Sequence, residues 1–285
     1  MTRQEALSLL KDAADLEYKE FNDRITNCDT APSIGVRVPR VREIAAQVVK
    51  QGWEKYLAEL ESVCAERREH ADGAGQAVIP AGRQGQATIS AGWQGQAVIP
   101  ADQQGQTEEI VLAAPLWQEE HMLWGIVIGR AKMDREERVR HLNLWVPGIL
   151  SWADCDCSVS SFKFMKKDQP FWYDYCVSWL SSDREYVQRF AYVALMQYFI
   201  NDSYIDRVLE VFRGKEHGFA DQPCYVKMAR AWALSVCFVK YRDRTLTVFE
   251  ARTMDSWVQN KAIQKCRESY RVSAEDKELL LRLKV

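Results

Sequence analysis

The sequence predicts an all-α protein, and three observations support this prediction. Helical periodicity runs through almost every segment of the 285 residues, with apolar side chains recurring three and four positions apart. Alternating apolar and polar runs, which indicate strands, are scarce. Only 8 prolines and 14 glycines interrupt the chain, as expected for helices rather than for turn-rich β-structure.

Two segments show the helical period most clearly. In "YVQRFAYVALMQYFI" the apolar stripe comprises Val187, Phe190, Ala191, Ala194, Leu195 and Tyr198. In "CYVKMARAWALSVCFVK" it comprises Tyr225, Ala229, Trp232, Val236 and Val239. Each set occupies one face of a helix with 3.6 residues per turn.

A longer period sets the predicted architecture. Three helical segments of similar character carry Trp152, Arg189 and Trp232, which are 37 and 43 positions apart. This spacing is typical of HEAT-like repeats, in which each unit is a pair of antiparallel helices. Because one pair cannot bury its apolar faces alone, the pairs are expected to stack into a curved α-α superhelix, a solenoid. Residues one repeat apart would then meet along its concave surface.

One segment breaks the helical pattern. Residues 75–106, "GQAVIPAGRQGQATISAGWQGQAVIPADQQGQ", are a decapeptide repeated three times with a partial fourth copy. The unit is too short for a helical repeat, and Pro80 and Pro100 oppose a helix. Its composition favours a disordered surface-loop insertion over a short β-hairpin array. We therefore predict a single domain, 1–285, interrupted by a low-complexity insertion at about 72–107, and long insertions of this kind cost little stability.

Composition narrows the classes of protein. A net charge of -2 does not by itself indicate a nucleic-acid binder, but residues 222–272 hold ten basic and four acidic residues. Such a window forms either a basic face or an ordinary solvated helix surface. The N-terminal stretch lacks the apolar centre of a signal peptide, and no run of about 18 uncharged apolar residues occurs. The eight cysteines lie in helix-like segments, so we expect reduced thiols and a cytoplasmic protein without a membrane span.

Residues 149–164, "ILSWADCDCSVSSFKF", contain the main candidate site. Trp152 and Asp156 are four apart, so on a helix they share one face. Each candidate also has a structural interpretation when taken alone: Trp152 as core packing, Asp156 as a helix cap or surface charge. Arg189 alone would be a salt bridge between repeats. Asp154 competes with Asp156 as the catalytic group.

Other kinds of site have little support. The cysteines of "CDC" (155–157) with Cys176 lack a second closely spaced Cys or His pair, and the four histidines are scattered. We therefore predict no metal site. No phosphate-cradling glycine loop, G-x-S-x-G or dinucleotide fingerprint occurs, and we predict no cofactor.

Several segments in order carry a resemblance to a known family. They are "GVRVPRVREIAAQVVK" (35–50), "WQEEHMLWGIVIGRAK" (117–132), "VPGILSWADCD" (146–156), "YVQRFAYVALMQYF" (186–199), "YVKMARAWALS" (225–235) and "QNKAIQKCRESYRVSAEDKELLLRLK" (259–284). With them the chain resembles the DNA alkylation repair glycosylases of the AlkD type, a HEAT-like repeat family. It departs from the pattern at Trp117, where another aromatic is usual, and in the Cys- and Ser-rich "CDCSVSSF".

The resemblance implies a function and a set of site residues. The family pocket matches Trp152, Asp156, Arg189 and Trp232, with Asp156 catalytic and the other three contacting substrate. Such enzymes excise cationic alkylated purines, for example 3-methyladenine and 7-methylguanine, from duplex DNA, and we expect a monomer without cofactor.

Elementary chemistry supports the same assignment. A cationic purine is a good leaving group, and Asp156 can stabilise the positive charge that develops on the sugar. Arg189 would bind a backbone phosphate, and Lys227 and Arg230 would extend that track. The alternative is a non-catalytic HEAT-like scaffold that binds nucleic acid or a protein on its concave face, since fold alone does not assure chemistry.

Overall fold

The computed structural model describes residues 1–26, 32–73, 116–214 and 222–285, with the side chains of 66–73 left out. These ranges contain helices and connections and no β-strand, which confirms the predicted all-α class. The α-helices are α1 (Arg3–Asp12), α2 (Leu16–Thr26), α3 (Val38–Gln51), α4 (Trp53–Gly73), α5 (Gln118–Arg130), α6 (Arg135–Trp145), α7 (Trp152–Val159), α8 (Gln169–Ser178), α9 (Glu185–Tyr198), α10 (Ile205–Arg213), α11 (Cys224–Lys240), α12 (Arg242–Glu250), α13 (Ser256–Glu268) and α14 (Ala274–Leu281). Short 3-10 helices at Val146–Gly148, Lys163–Lys166 and Trp179–Ser181 join α6 to α9.

Alternate helices form a continuous row. From α3 onward, α3, α5, α7, α9, α11 and α13 pack side by side in chain order. The helices between them in sequence pack against this row, and α4 also contacts α6 while α10 contacts α12. Helices two elements apart in the chain are therefore spatial neighbours, and side chains from α7, α9 and α11 can meet.

Side-chain caps fix where several helices begin. Thr2 Oγ1 accepts a hydrogen bond from the Glu5 backbone N–H (3.1 Å), and Glu5 Oε2 accepts one from the Thr2 N–H (2.7 Å), a reciprocal capping box. Asp134 caps α6, Asp255 caps α13 and Ser273 caps α14 in the usual way. Each cap satisfies a backbone donor that has no partner within its helix, and such caps contribute about 1 kcal/mol.

The interior of the row is densely aromatic. Trp145, Phe162 and Phe190 form a cluster of edge-to-face contacts, with ring centroids 5.6, 6.1 and 6.4 Å apart. All three rings are fully buried, and edge-to-face pairs of this kind add about 0.5–1.5 kcal/mol to the effect of burial. The cluster joins α6 and the segment that follows α7 to α9.

The apolar stripe predicted on α9 is buried as expected, whereas the one predicted on α11 is mostly not. Every residue of the α9 stripe is buried, from Val187 to Tyr198. On α11 only Ala229 of the predicted stripe is buried, and Trp232 is partly exposed. The α11 core face instead includes Val226, Ala233, Leu234, Cys237 and Phe238, among others. Because α11 is apolar around most of its circumference, its period alone did not identify the inward face.

The predicted insertion falls mostly outside the described residues. Helix α4 extends to Gly73 and so includes the first two residues of the predicted insertion, 72 and 73. Residues 74–107, including the whole decapeptide array of 75–106, are not described. Within the described ranges, no helix combines the length and apolar character needed to cross a membrane.

Candidate functional site

Helix α7 is short and carries two of the predicted site residues. Ser151 begins it as the N-cap, its Oγ accepting a hydrogen bond from the Asp154 N–H at 3.1 Å. Trp152 occupies the first helical position, and its indole Nε1 donates to the Ile25 carbonyl at the end of α2 (3.2 Å). Asp156 follows one turn later, so both side chains lie on the same side of α7.

Asp156 forms a bidentate ion pair with Arg189 of α9. Arg189 Nε donates to Asp156 Oδ1 at 2.9 Å, and Nη2 donates to Oδ2 at 2.7 Å. The Arg189 side chain is 5% exposed and that of Asp156 is 16% exposed. Burial alone would lower the pKa of Arg189, but the hydrogen bonds and charge of Asp156 raise it overall. The carboxylate is therefore fixed in orientation by a permanent cation.

The same guanidinium reaches a third helix. Arg189 Nη1 donates to the Tyr225 carbonyl at the start of α11, at 2.9 Å. Glu185 in the first turn of α9 accepts a hydrogen bond from the Tyr225 N–H at 2.7 Å. The Tyr186 and Tyr225 rings lie 5.4 Å apart. These contacts hold the beginnings of α9 and α11 together beside Asp156.

Trp152 and Trp232 differ from most described tryptophans. Trp53, Trp124, Trp145, Trp172 and Trp179 are buried. Trp152 and Trp232 are partly exposed, and the ring of Trp232 packs against the edge of the core. Trp232 lies seven residues beyond Tyr225, about 10 Å further along α11. The contacts of Arg189 reach α11 at Tyr225 rather than at Trp232.

The two predicted backbone-contact residues are both engaged within the protein. Lys227 Nζ lies 3.3 Å from Asp255 Oδ2 and is partly exposed. Arg230 is 1% exposed, and its guanidinium donates to the carbonyls of Phe212 (3.0 Å) and Arg213 (2.8 Å) at the end of α10. Arg230 thus lies inside the protein, away from any surface that a phosphate reaches, and binds the carbonyls that a helix end leaves without partners.

Lys265 on α13 adds positive charge near Arg189. Burial and the charge of Lys261 lower the pKa of Lys265, Glu268 opposes this, and Arg189 lowers it further. The influence of Arg189 shows that the two cations are within electrostatic range. Two cations within electrostatic range of each other attract an incoming phosphate.

The opposite face of α7 is polar but buried. Asp154 is 1% exposed, and its Oδ2 lies 3.2 Å from His121 Nδ1 of α5. Burial raises the pKa of Asp154, and His121 opposes that effect. Asp154 therefore faces the interior while Asp156 faces Arg189, which separates the two carboxylates that the sequence left as competitors.

A carboxylate of α5, that of Glu119, binds the backbone of the turn that precedes α3. Glu119 accepts hydrogen bonds from three successive backbone N–H groups, those of Ile34 (2.8 Å), Gly35 (2.7 Å) and Val36 (3.0 Å). Gly35 has φ of +92°, and a Cβ there would lie 2.6 Å from Lys19 Cβ. The turn at 34–36 is thus an anion-binding turn occupied by the protein's own carboxylate.

Comparison with known proteins identifies the family. A family model described as DNA alkylation repair enzyme matches residues 98–266, more than half of the chain. The chain belongs to the DNA alkylation repair enzyme family. Comparison with curated proteins and with solved structures gave no match.

The family match covers the whole candidate site. Trp152, Asp156, Arg189 and Trp232 all lie within the matched residues 98–266. So do helices α5 to α13, apart from the last two residues of α13. Membership supports the resemblance that the sequence motifs indicated and connects the chain to DNA repair.

Several residues that shape the site were missed by sequence analysis. Neither Glu119 nor His121 was a candidate on sequence grounds, yet each is buried and contacts a different part of the chain. A signal was present, because four consecutive polar residues, 118–121, open a helix that continues as "MLWGIVIG". Polar residues inside an apolar helix indicate buried partners.

No metal-binding arrangement accompanies the site. Across the part of the chain that the structure describes, no group of three or more His, Cys, Asp or Glu side chains is arranged to hold a metal ion. The described cysteines are free thiols.

Proposed function

We propose that the protein is a DNA glycosylase that hydrolyses the N-glycosidic bond of cationic alkylated purines, such as 3-methyladenine and 7-methylguanine, in duplex DNA. Its helical pairs would stack as HEAT-like repeats, with the row from α3 to α13 lining a concave DNA-binding surface. It would act as a monomer, releasing the free base and leaving an abasic site. The observation that carries the proposal is the carboxylate of Asp156, held by Arg189 one helical turn from the partly exposed Trp152.

The proposed chemistry needs little from a general acid. A purine alkylated at N3 or N7 already carries a positive charge and leaves readily. As the glycosidic bond breaks, positive charge develops on the sugar, and Asp156 would stabilise it and orient the attacking water. One ion pair at roughly 4 Å and an effective dielectric near 20 is worth about 4 kcal/mol, on the order of a thousandfold in rate.

Arg189 has two opposite effects on the stabilisation that Asp156 would give to the transition state. A guanidinium 2.7 Å from the carboxylate cancels part of its field, so the net contribution of Asp156 to the reaction would be smaller than that of a free carboxylate. In return, the pair fixes the carboxylate before substrate arrives, which avoids reorganisation during the reaction. We expect a rate effect of about a hundredfold rather than a thousandfold.

The remaining parts would bind the damaged nucleotide. Trp152 and Trp232 would offer ring faces to the cationic nucleotide, worth about 0.5–2 kcal/mol each. Among the described residues, three of the five N–H donors of Arg189 have protein partners, and the other two would bind a phosphate oxygen. Lys227 would extend the track if it exchanged Asp255 for phosphate, and Lys265 would add to it.

The second candidate function is a scaffold that binds nucleic acid or a protein and catalyses nothing. The observation that favours it is the same ion pair, because Arg189 links α7, α9 and α11 and so has a sufficient structural role. Under this alternative Asp156 is the partner of a structural arginine and needs no substrate.

One assay separates the two functions. The full-length protein, in excess over substrate, is incubated with methylated duplex DNA, and released bases are separated and quantified. A glycosylase releases 3-methyladenine or 7-methylguanine at a rate above the spontaneous one. Release at the spontaneous rate, by protein shown to bind the same DNA, would exclude the enzyme and leave the scaffold.

A further inference from the structure

The first turn of α5 consists of four consecutive buried polar residues that bind four different parts of the protein. Gln118, Glu119, Glu120 and His121 are between 1% and 4% exposed. In order, they contact Asn22 of α2 and Ser151, the turn at 34–36, Arg3 of α1, and Asp154 of α7. Two of the four, the first and the last, therefore reach the beginning of the helix that carries Trp152 and Asp156.

His121 is held in one orientation from several sides. Its ring stacks on Trp145, with centroids 5.3 Å apart and planes 13° apart. Its Nε2 lies 3.1 Å from the Trp145 carbonyl oxygen, and Trp145 Nε1 donates to the His121 carbonyl at 3.0 Å. A Cβ at Gly148 would lie 2.6 Å from Nε2, so glycine leaves the space that the imidazole fills.

These contacts give each nitrogen of the imidazole a different neighbour. The Trp145 carbonyl accepts only, so His121 Nε2 must carry a proton. His121 Nδ1 lies 3.2 Å from Asp154 Oδ2, a distance at which the two groups attract each other. The contact with His121 offsets part of the cost of burying the Asp154 carboxyl group.

Asp154 transmits this constraint to the candidate site. Asp154 and Asp156 are two residues apart on α7, about 200° around the helix, and so project from nearly opposite faces. Gln118 Nε2 also donates to Ser151 Oγ (2.9 Å), the group that caps the same helix. Since α7 has only eight residues, fixing its buried face fixes the position of Trp152 and Asp156.

We propose that His121 is a positioning residue: through its Nδ1 contact with Asp154 it sets the orientation of α7 and thereby places the Asp156 carboxylate. The catalytic consequence rests on the proposed glycosylase function, whereas the positioning itself does not. His121 touches neither DNA nor the reacting atoms in this scheme. Its effect would appear in the rate of base release and not in the affinity for DNA, because misplacing a reacting group by about 1 Å can cost on the order of a hundredfold.

Two substitutions at the same position separate positioning from space filling. Asparagine places an amide nitrogen near Nδ1, so His121→Asn retains a donor for Asp154. Glutamine places it near Nε2, so His121→Gln retains the contact with the Trp145 carbonyl and loses Asp154. We expect base release under single-turnover conditions to fall at least tenfold in His121→Gln and less than threefold in His121→Asn, with the Kd for methylated duplex within twofold of the wild-type value in both.

The control is a second buried histidine with a carboxylate partner. His141 of α6 is 1% exposed, and its Nδ1 lies 2.9 Å from Glu61 Oε1 of α4. His141→Gln removes a comparable contact without touching α7. Its base release should equal that of the wild type at a temperature where all variants are folded. A fall equal to that of His121→Gln would show a general effect of lost stability and overturn the proposal.

A readout without catalysis keeps the two proposals separate. Cys157 follows Asp156 directly and is partly exposed, so its alkylation by iodoacetamide, followed by mass spectrometry, reports the order of α7. We expect faster labelling in His121→Gln and wild-type labelling in His121→Asn and His141→Gln. Equal labelling of both His121 variants would overturn the positioning role. If the wild type releases no base, the glycosylase function fails, and labelling alone decides the role of His121.

Discussion

Arg189 and Asp156 form a bidentate ion pair, with N–O distances of 2.9 and 2.7 Å. The two residues lie 33 positions apart in sequence, on helices that are neighbours in the row. The arrangement holds the carboxylate in one orientation while cancelling part of its field. A carboxylate held in a fixed orientation suits a reaction in which positive charge develops on the sugar only in the transition state.

The role of Asp156 can be tested by an isosteric change. Asp156→Asn keeps the shape of the side chain and removes its charge, so base release should fall about a hundredfold. The Kd for methylated duplex should stay within a few-fold, because the tryptophan and cationic contacts remain. Asp183→Asn, at an exposed carboxylate before α9, is the control and should leave both values unchanged. Equal loss of rate and affinity in Asp156→Asn would contradict a catalytic role.

The ion pair can also be measured through stability. Asp156→Asn and Arg189→Gln should each destabilise the protein by about 2–4 kcal/mol, because each leaves a partner poorly compensated. The double variant should be less destabilised than the sum of the two by about 1–3 kcal/mol. Urea unfolding of the four proteins gives these free energies.

An exposed ion pair provides the comparison for that cycle. Arg244 of α12 bonds Asp206 of α10 with both side chains more than half exposed. The same cycle there should give a coupling below about 1 kcal/mol. Similar couplings at the two places would mean that burial does not strengthen the Asp156–Arg189 pair.

The sequence predicts the structure well where the cause is local. The stripe from Val187 to Tyr198 is buried because α9 has one clearly apolar face, and its period determines which face that is. The pairing of Trp152 with Asp156 on one helix follows from their spacing of four.

Prediction failed where the cause was distant in the chain. Arg230 looked like a surface cation, but it binds carbonyls at the end of α10, 17 and 18 residues earlier. Glu119 binds a turn more than 80 residues before it. Neither partner leaves a periodic trace in the sequence, so only the packing of helices discloses these roles.

Replacing Gly35 or Gly52 by alanine tests two different effects, backbone strain and steric contact. Gly35 and Gly52 both have positive φ, +92° and +103°. A Cβ at Gly52 meets only a flexible side-chain atom at 3.5 Å, whereas one at Gly35 would lie 2.6 Å from Lys19 Cβ and 2.8 Å from the Asp15 carbonyl oxygen. Gly52→Ala should therefore cost about 1–3 kcal/mol for the backbone alone.

At Gly35 the strain and the contact add together. Gly35→Ala should cost at least about 1 kcal/mol more than Gly52→Ala, since α2 must move away from the turn that Glu119 binds. Urea unfolding midpoints at constant m-value measure the difference. Equal costs would mean that α2 yields freely and that its packing near the site is loose.

Cys157 offers a pH-dependent test of the charge at Asp156. Burial and, second to it, the negative charge of Asp156 together raise the pKa of Cys157 to about 11. Since the thiolate is the nucleophile, a raised pKa lowers reactivity at every pH below it. Relative to an ordinary thiol of pKa 9.0, alkylation by iodoacetamide between pH 7 and 8 should be about a hundredfold slower.

The pH profile distinguishes this electrostatic effect from simple shielding. Above pH 9 the labelling rate of a short cysteine peptide levels off, but that of Cys157 should keep rising tenfold per pH unit, because its thiolate is still scarce. Asp156→Asn removes one cause of the shift and should speed labelling at pH 8, whereas Asp183→Asn should not. A Cys157 rate that levels off with the peptide would mean that restricted access, rather than the charge of Asp156, makes this thiol slow.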